Sequence, residues 1–127
     1  MIGYVTVGTN NLQRAGAFYD ALLKELGAER GMVSEKYIGW ANAPDAPMFM
    51  AITPHDGKPA TVGNGMMISL LASSKEQVDR VYKKALALGG KDEGAAGLRG
   101  DNFYGGYFRD LDGNKRSEER RVGKECA

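Results

Sequence analysis

Cysteine, histidine and long apolar runs are what this chain has least of. The one cysteine, Cys126, can close no internal disulfide and build no cysteine-rich metal site, which fits a reducing compartment. The one histidine, His55, leaves little for the imidazole clusters that bind transition metals. No apolar run approaches the roughly 20 residues that span a bilayer. The N-terminus also lacks a basic region followed by a long apolar core, so no membrane partner is expected and the cytoplasm is the default location. Charge of one sign is missing as well: 17 basic residues face 16 acidic ones, leaving no global field to attract nucleic acid or an anionic surface. The 127 residues suffice for one domain or for two small units sharing an interface.

What the chain does have is an internal repeat. Tyr19, Leu23 and Gly27 recur with the same spacing as Tyr82, Leu86 and Gly90, an offset of 63. The alternating stretch Tyr4-Val5-Thr6-Val7 then falls on Met67-Ile68-Ser69-Leu70. Further on, Gly39-Trp40 matches Gly106-Tyr107 and the turn at Asp45 matches that at Asp112, at an offset of 67. Four extra residues in a loop of the second half account for the change.

Each copy reads strand, helix, strands. Residues 2–9 alternate as a strand, and Asn10 or Asn11 caps a helix reaching about Leu26, with Leu12, Ala15, Phe18, Tyr19, Leu22, Leu23 and Leu26 on one face. Strands follow near 29–35, 36–42 and 47–53. Residues 54–65, rich in glycine, proline and turn formers, read as a linker. A strand at 66–72, a helix from Ser74 to Leu88 and strands near 91–95 and 102–109 repeat the order. The expected units are therefore 1–53 and 66–115, each βαβββ in plan, an α+β fold, with a tail at 116–127.

Several residues could carry chemistry and each has a simpler reading. His55 could act as a general base, but Pro54, Asp56 and Gly57 around it describe an exposed turn. Asp110-x-Asp112-x-Asn114 spaces oxygen ligands as a calcium loop does, yet lacks the later acidic ligand of that frame and reads as a hairpin turn. Gly94-x-x-Gly97-x-x-Gly100 has neither a strong strand before it nor a helix after it, as a phosphate cradle requires, and is expected to be a flexible loop. Tyr37, Trp40, Phe49, Phe103, Tyr104 and Tyr107 fall on hairpin strands and could stack on a planar ligand, although some must face the helices. No catalytic residue is identified.

The paired βαβββ plan, the run Asn-Leu-x-x-Ala-x-x-Phe-Tyr from Asn11 to Tyr19, and Phe-Arg-Asp-x-Asp-Gly-Asn from Phe108 to Asn114 resemble the vicinal oxygen chelate superfamily. That superfamily includes glyoxalase I, bleomycin and fosfomycin resistance proteins and extradiol dioxygenases. The resemblance covers residues 1–115 and implies paired modules forming a cup, often in a dimer. Metal-dependent members take ligands from the first and last strands of each module, which the repeat maps to Tyr4, Met50, Met67 and Ser117. A neutral phenol and soft thioethers are not what a divalent metal selects, so no cofactor is expected. Thioethers would suit only a soft ion such as Cu(I), and methionines lining an apolar cup are the simpler reading. The expectation is a metal-free cup for a small apolar or aromatic molecule, lined by Tyr4, Thr6, Met48, Met50, Met67 and Ser69 in a homodimer. The alternatives are a lyase or dioxygenase using a divalent metal held by His55, Glu76, Asp110 or Asp112, and a non-catalytic interaction module.

The tail departs from this pattern. Seven of the twelve residues from Arg116 to Ala127 are charged and nothing alternates as a core-facing strand would. Arg116 to Cys126 coincide with a one-frame translation of a common sequencing-library adapter. The expectation is that a non-native charged tail replaces the last strand of the second module; a natural solvated tail is the alternative. A weakened second sheet would follow.

Overall fold

A computed structural model describes residues 1–121, with 115–121 described by their backbone alone. The first half runs β1 (Tyr4–Gly8), α1 (Leu12–Lys24), β2 (Glu29–Val33), β3 (Tyr37–Ala41) and β4 (Met48–Ile52). The second runs β5 (Ile68–Leu71), α2 (Lys75–Ala87), β6 (Lys91–Leu98), β7 (Phe103–Arg109) and β8 (Lys115–Arg121). The sheets have the same order, β1-β4-β3-β2 and β5-β8-β7-β6, with the first and last strands of each unit paired in parallel and the hairpins antiparallel. The repeat in the sequence is thus a repeat in the fold.

The helices begin where the capping residues stand. The Asn11 side chain accepts from the Arg14 N–H at 3.0 Å, and the Ser74 hydroxyl accepts from the Gln77 N–H at 3.1 Å. Gly27 and Gly89, both at positive φ, end the turns after them, a conformation that any side chain would strain. Each helix lies on one face of its own sheet. Phe18, Tyr19, Leu22 and Leu23 of α1 meet Ile38, Trp40, Phe49 and Ala51, and the cluster continues through Val81 and Ala85 of α2 to Phe108. The two units therefore share one core instead of having two. Tyr19 sits within 5.6 Å of Trp40 and 4.7 Å of Phe49 between ring centroids.

Three expectations change. The charged tail does form a strand: β8 pairs with β5 from Ile68↔Arg116 to Leu71↔Glu119 and with β7 from Phe103↔Arg121 to Arg109↔Lys115. The slot between β5 and β7 presents backbone donors and acceptors on both sides, and any extended backbone can satisfy these. The composition of β8 remains anomalous, since Arg116 and Glu118 hold the register positions that Phe49 and Ala51 hold in the first sheet. Residues 122–127, Cys126 among them, lie outside the described residues.

The second change concerns the Gly94, Gly97 and Gly100 spacing. Gly94 and Gly97 belong to strand β6, which is longer than expected and shifts register at both glycines; only Gly100 lies beyond its end. The third is the alignment of the halves, which is one residue out in the hairpin. The row Val5, Phe49, Trp40 corresponds through the pairing to Ile68, Arg116, Phe108, so Trp40 is equivalent to Phe108 and Gly39 to Tyr107. A slip of one residue exchanges the two faces of a strand, which is why the sequence match misassigned Tyr107.

Candidate functional site

The side of each sheet away from its helix faces solvent. Along β1 the side chains alternate, Val7 buried against the helix and Tyr4 65% exposed on the other face. Pairing carries that outer face across the first sheet: Tyr4 beside Met48, Thr6 beside Met50, Met50 beside Gly39, Gly39 beside Met32. In the second sheet the equivalent row is Ser69, Ser117, Tyr107 and Gly94. Met67 immediately precedes β5 and is 46% exposed. Large apolar groups stand in solvent on these faces, including Met32 and Leu71.

The six expected lining residues are divided. Tyr4, Thr6, Met48 and Met50 share the outer face of the first sheet, and Ser69 lies on the outer face of the second. Met67 and Thr6 meet in a cleft of about 220 Å³ between β1, β5 and the linker, which Thr61, Val62, Gly63 and Met66 also line. Met48 borders a different hollow, beside Gly31 and Ala41. Residues 61–63, part of the segment read from sequence as a linker, therefore contribute a wall together with Met66, which was expected to open the next strand. Their glycine and turn-forming content gave no signal of that, because lining a cleft depends on where the ends of the linker are held.

The aromatics sort by face. Trp40 and Phe49 are buried against α1, while Tyr37 and Phe103 are half-buried at outer-face register positions. Tyr104 turns toward α2 and donates to Asp79 at 2.6 Å. Tyr107 is on the outer face, its ring beside Gly94 and beneath the Arg99 guanidinium, 5.4 Å from the ring centre.

The residues named as possible ligands are engaged elsewhere or exposed on the surface. Asp110 is 6% exposed and accepts from the Tyr19 hydroxyl, the Asp112 and Asn114 N–H groups and the Asn114 side chain. Asp112 accepts from the Asn10 N–H at 3.0 Å and from Arg14 at 3.3 Å, and Asn114 donates to the Gly8 carbonyl at 2.9 Å. The Asp110–Asn114 turn is thus a latch that ties the second half to β1 and α1 of the first. His55 lies exposed on the turn closed by the Gly57 N–H to Pro54 carbonyl bond, and Glu76 is exposed on α2. Among the described residues no three histidine, cysteine, aspartate or glutamate side chains come together to hold a metal ion.

Pairing also replaces the quartet drawn from the repeat. The residues of first and last strands that stand side by side are Thr6 with Met50 and Ser69 with Ser117; Tyr4 and Met67 lie two residues earlier in the chain, Tyr4 at the start of β1 and Met67 just before β5. Neutral hydroxyls and one thioether do not suit a divalent metal, so these positions do not fit the group that metal-dependent relatives would use there.

The titratable groups with displaced pKa values all lie on the helix side. Two hydrogen bonds from Arg30, at 2.7 and 2.8 Å, hold Asp20 below the usual carboxylate value, helped by the Trp40 indole N–H; Arg30 is raised in return. Hydrogen bonds to Asp92 and Asp79 raise the Tyr82 and Tyr104 phenols, and Asp92 is lowered by its bond from Tyr82. These are structural pairs between helix and sheet.

The sequence model of the Glyoxalase/Bleomycin resistance protein/Dioxygenase superfamily matches residues 1–116. Among solved structures, a glyoxalase/bleomycin resistance protein from Albidiferax ferrireducens T118 is 38% identical, with 94% of this chain and 97% of that one covered and a TM-score of 0.86. A glyoxalase/bleomycin resistance protein/dioxygenase family enzyme from Burkholderia phytofirmans PsJN shares the fold at 16% identity, with 92% and 95% covered and a TM-score of 0.73. Lactoylglutathione lyase from Agrobacterium tumefaciens does so at 20% identity, with 94% and 92% covered and a TM-score of 0.66. No curated protein matches the chain. Among the described residues no helix is long and apolar enough to cross a membrane.

Proposed function

Since the chain belongs to the glyoxalase/bleomycin resistance protein/dioxygenase superfamily, we propose that it binds a small apolar or aromatic molecule without a metal. The lining of the cup includes Tyr4, Thr6, Met48, Met50, Met67 and Ser69. The observation that carries this reading is the solvent-facing apolar surface on the sheets, where Tyr4 is 65% and Met67 46% exposed, combined with donor chemistry that does not suit a divalent ion. A second copy of the chain closes the cup, because a sheet face open to water on one side leaves any bound apolar molecule half in solvent. The protein acts as a homodimeric binder, and its fold provides the site without providing a reaction.

Two measurements test this together. Protein purified without a metal-affinity tag is analysed for metal by mass spectrometry, before and after dialysis against Zn²⁺, Ni²⁺ and Mn²⁺. Its melting temperature is then screened against a library of apolar and aromatic compounds. A metal-free protein whose melt rises with aromatic compounds is expected, since a ligand that binds only the native state stabilises it. Near-stoichiometric metal surviving dialysis would overturn the metal-free reading and direct attention to lyase and dioxygenase assays. A melt indifferent to the whole library would remove the binding function.

A further inference from the structure

The equivalent rows on the two outer faces differ at one place. In the second sheet Tyr107 fills its position with its own ring, which lies against Gly94 and carries Arg99 above it. In the first sheet the equivalent residue is Gly39, and methionines take the space that a side chain would need. A Cβ at Gly39 would collide with the Met48 sulfur and lie 3.2 Å from Met50 Cγ; a Cβ at Gly31 would lie 3.0 Å from Met48 Cε. Met32 flanks Gly39 on the other side, 45% exposed. Met50 is 7% exposed and Met48 half-buried. The two glycines thus let thioethers lie close against the sheet at the position where the second sheet carries the Tyr107 ring.

We infer that the bed formed by Met32, Met48 and Met50 over Gly39 selects the flat face of an aromatic ligand. This rests on the reading of the outer faces as a small-molecule cup and specifies what that cup prefers. Thioether sulfur makes favourable contacts with aromatic rings, and the unbranched side chain adjusts to the ring it meets. A saturated molecule of the same size and polarity gains the burial but not these contacts. The preference for the aromatic compound is about three- to tenfold in Kd for one or two such contacts.

The test uses the full chain with ¹³C-labelled methionine methyl groups, each signal assigned through a Met→Leu variant. The probes are 2-naphthol and its saturated counterpart, decahydro-2-naphthol. The expected result is an upfield, ring-current shift of the Met48 and Met32 methyls with 2-naphthol, and tighter binding of it than of the saturated probe. Met48→Leu, which keeps the volume and removes the sulfur, reduces that preference, and Gly39→Ala lifts Met48 and abolishes it. Should Gly39→Ala fail to fold, Met48→Leu carries the test alone. Equal binding of both probes overturns the inference, as does a shift confined to Met66 and Met67, which would put the ligand in the cleft by the linker and leave the cup itself intact. Bed methyls that move only on dilution would overturn it too, by showing that a second copy covers them. If neither probe moves any methyl or the melting temperature, the small-molecule reading falls along with it.

Discussion

Tyr19→Phe removes a single oxygen, and the latch makes its cost calculable. Tyr19 is 1% exposed and its hydroxyl donates to Asp110, itself 6% exposed, across 91 residues of sequence. A hydrogen bond to a charged group is worth about 1.5–3 kcal/mol. The Asp110 oxygen concerned keeps a second donor, the Asn114 amide at 3.1 Å, so the lower half of that range applies, about 1.5–2 kcal/mol. Asp110→Ala goes further, because the Asp112 and Asn114 N–H groups lose the same acceptor; about 3–5 kcal/mol is expected. The double variant should show a coupling of about 1–2 kcal/mol, since each change removes the other's partner. Urea unfolding followed by far-ultraviolet circular dichroism and by the fluorescence of Trp40, which lies in the first half, reads these energies. In temperature, Tyr19→Phe should lower the melt by about 5–8 °C for a chain of this size. A Tyr19→Phe cost below about 0.5 kcal/mol, or no coupling with Asp110→Ala, would refute the latch as the tie between the halves.

Replacing Arg116 with leucine and Glu118 with valine, at the positions matching Phe49 and Ala51, should raise stability by about 1–3 kcal/mol in urea unfolding; an unchanged midpoint would mean that β8 tolerates its charges without cost. Asp20→Asn should matter most at neutral pH. A carboxylate held below its ordinary value stabilises the fold above about pH 3.8 and loses that contribution as pH falls through the depressed value, so the gap between wild type and variant should close in acid. Because the pair is partly solvated, the gap at pH 7 should stay near 1 kcal/mol or less. Tyr82 and Tyr104 should ionise above pH 10 in an ultraviolet titration, with Asp92→Asn returning Tyr82 toward 10. Raised phenol values stabilise below pH 10 and are lost as pH rises through them, so alkaline unfolding of Asp92→Asn should begin nearer the ordinary value.

Much of the fold could be read from residue order alone. The repeat, both helices, the linker and most strands follow from local patterns: apolar spacing along α1, an asparagine cap at position 10 or 11, a helix start near Ser74, and Asp-Gly-Asn at the last turn. That Tyr4 and Thr6 share one face of β1 was visible too, because alternation separates the two faces of a strand. Three features came only with tertiary structure. The hairpin register was one, and with it the equivalence of Gly39 to Tyr107, because sequence similarity does not distinguish neighbouring positions of a strand whose faces exchange with a single slip. The Tyr19 to Asp110 latch was another, since it joins residues 91 apart. The strand formed by Lys115–Arg121 was the third. Its composition does not follow the pattern of a core-facing strand, but backbone hydrogen bonding does not depend on side-chain identity, and β5 and β7 create the place that the chain then fills.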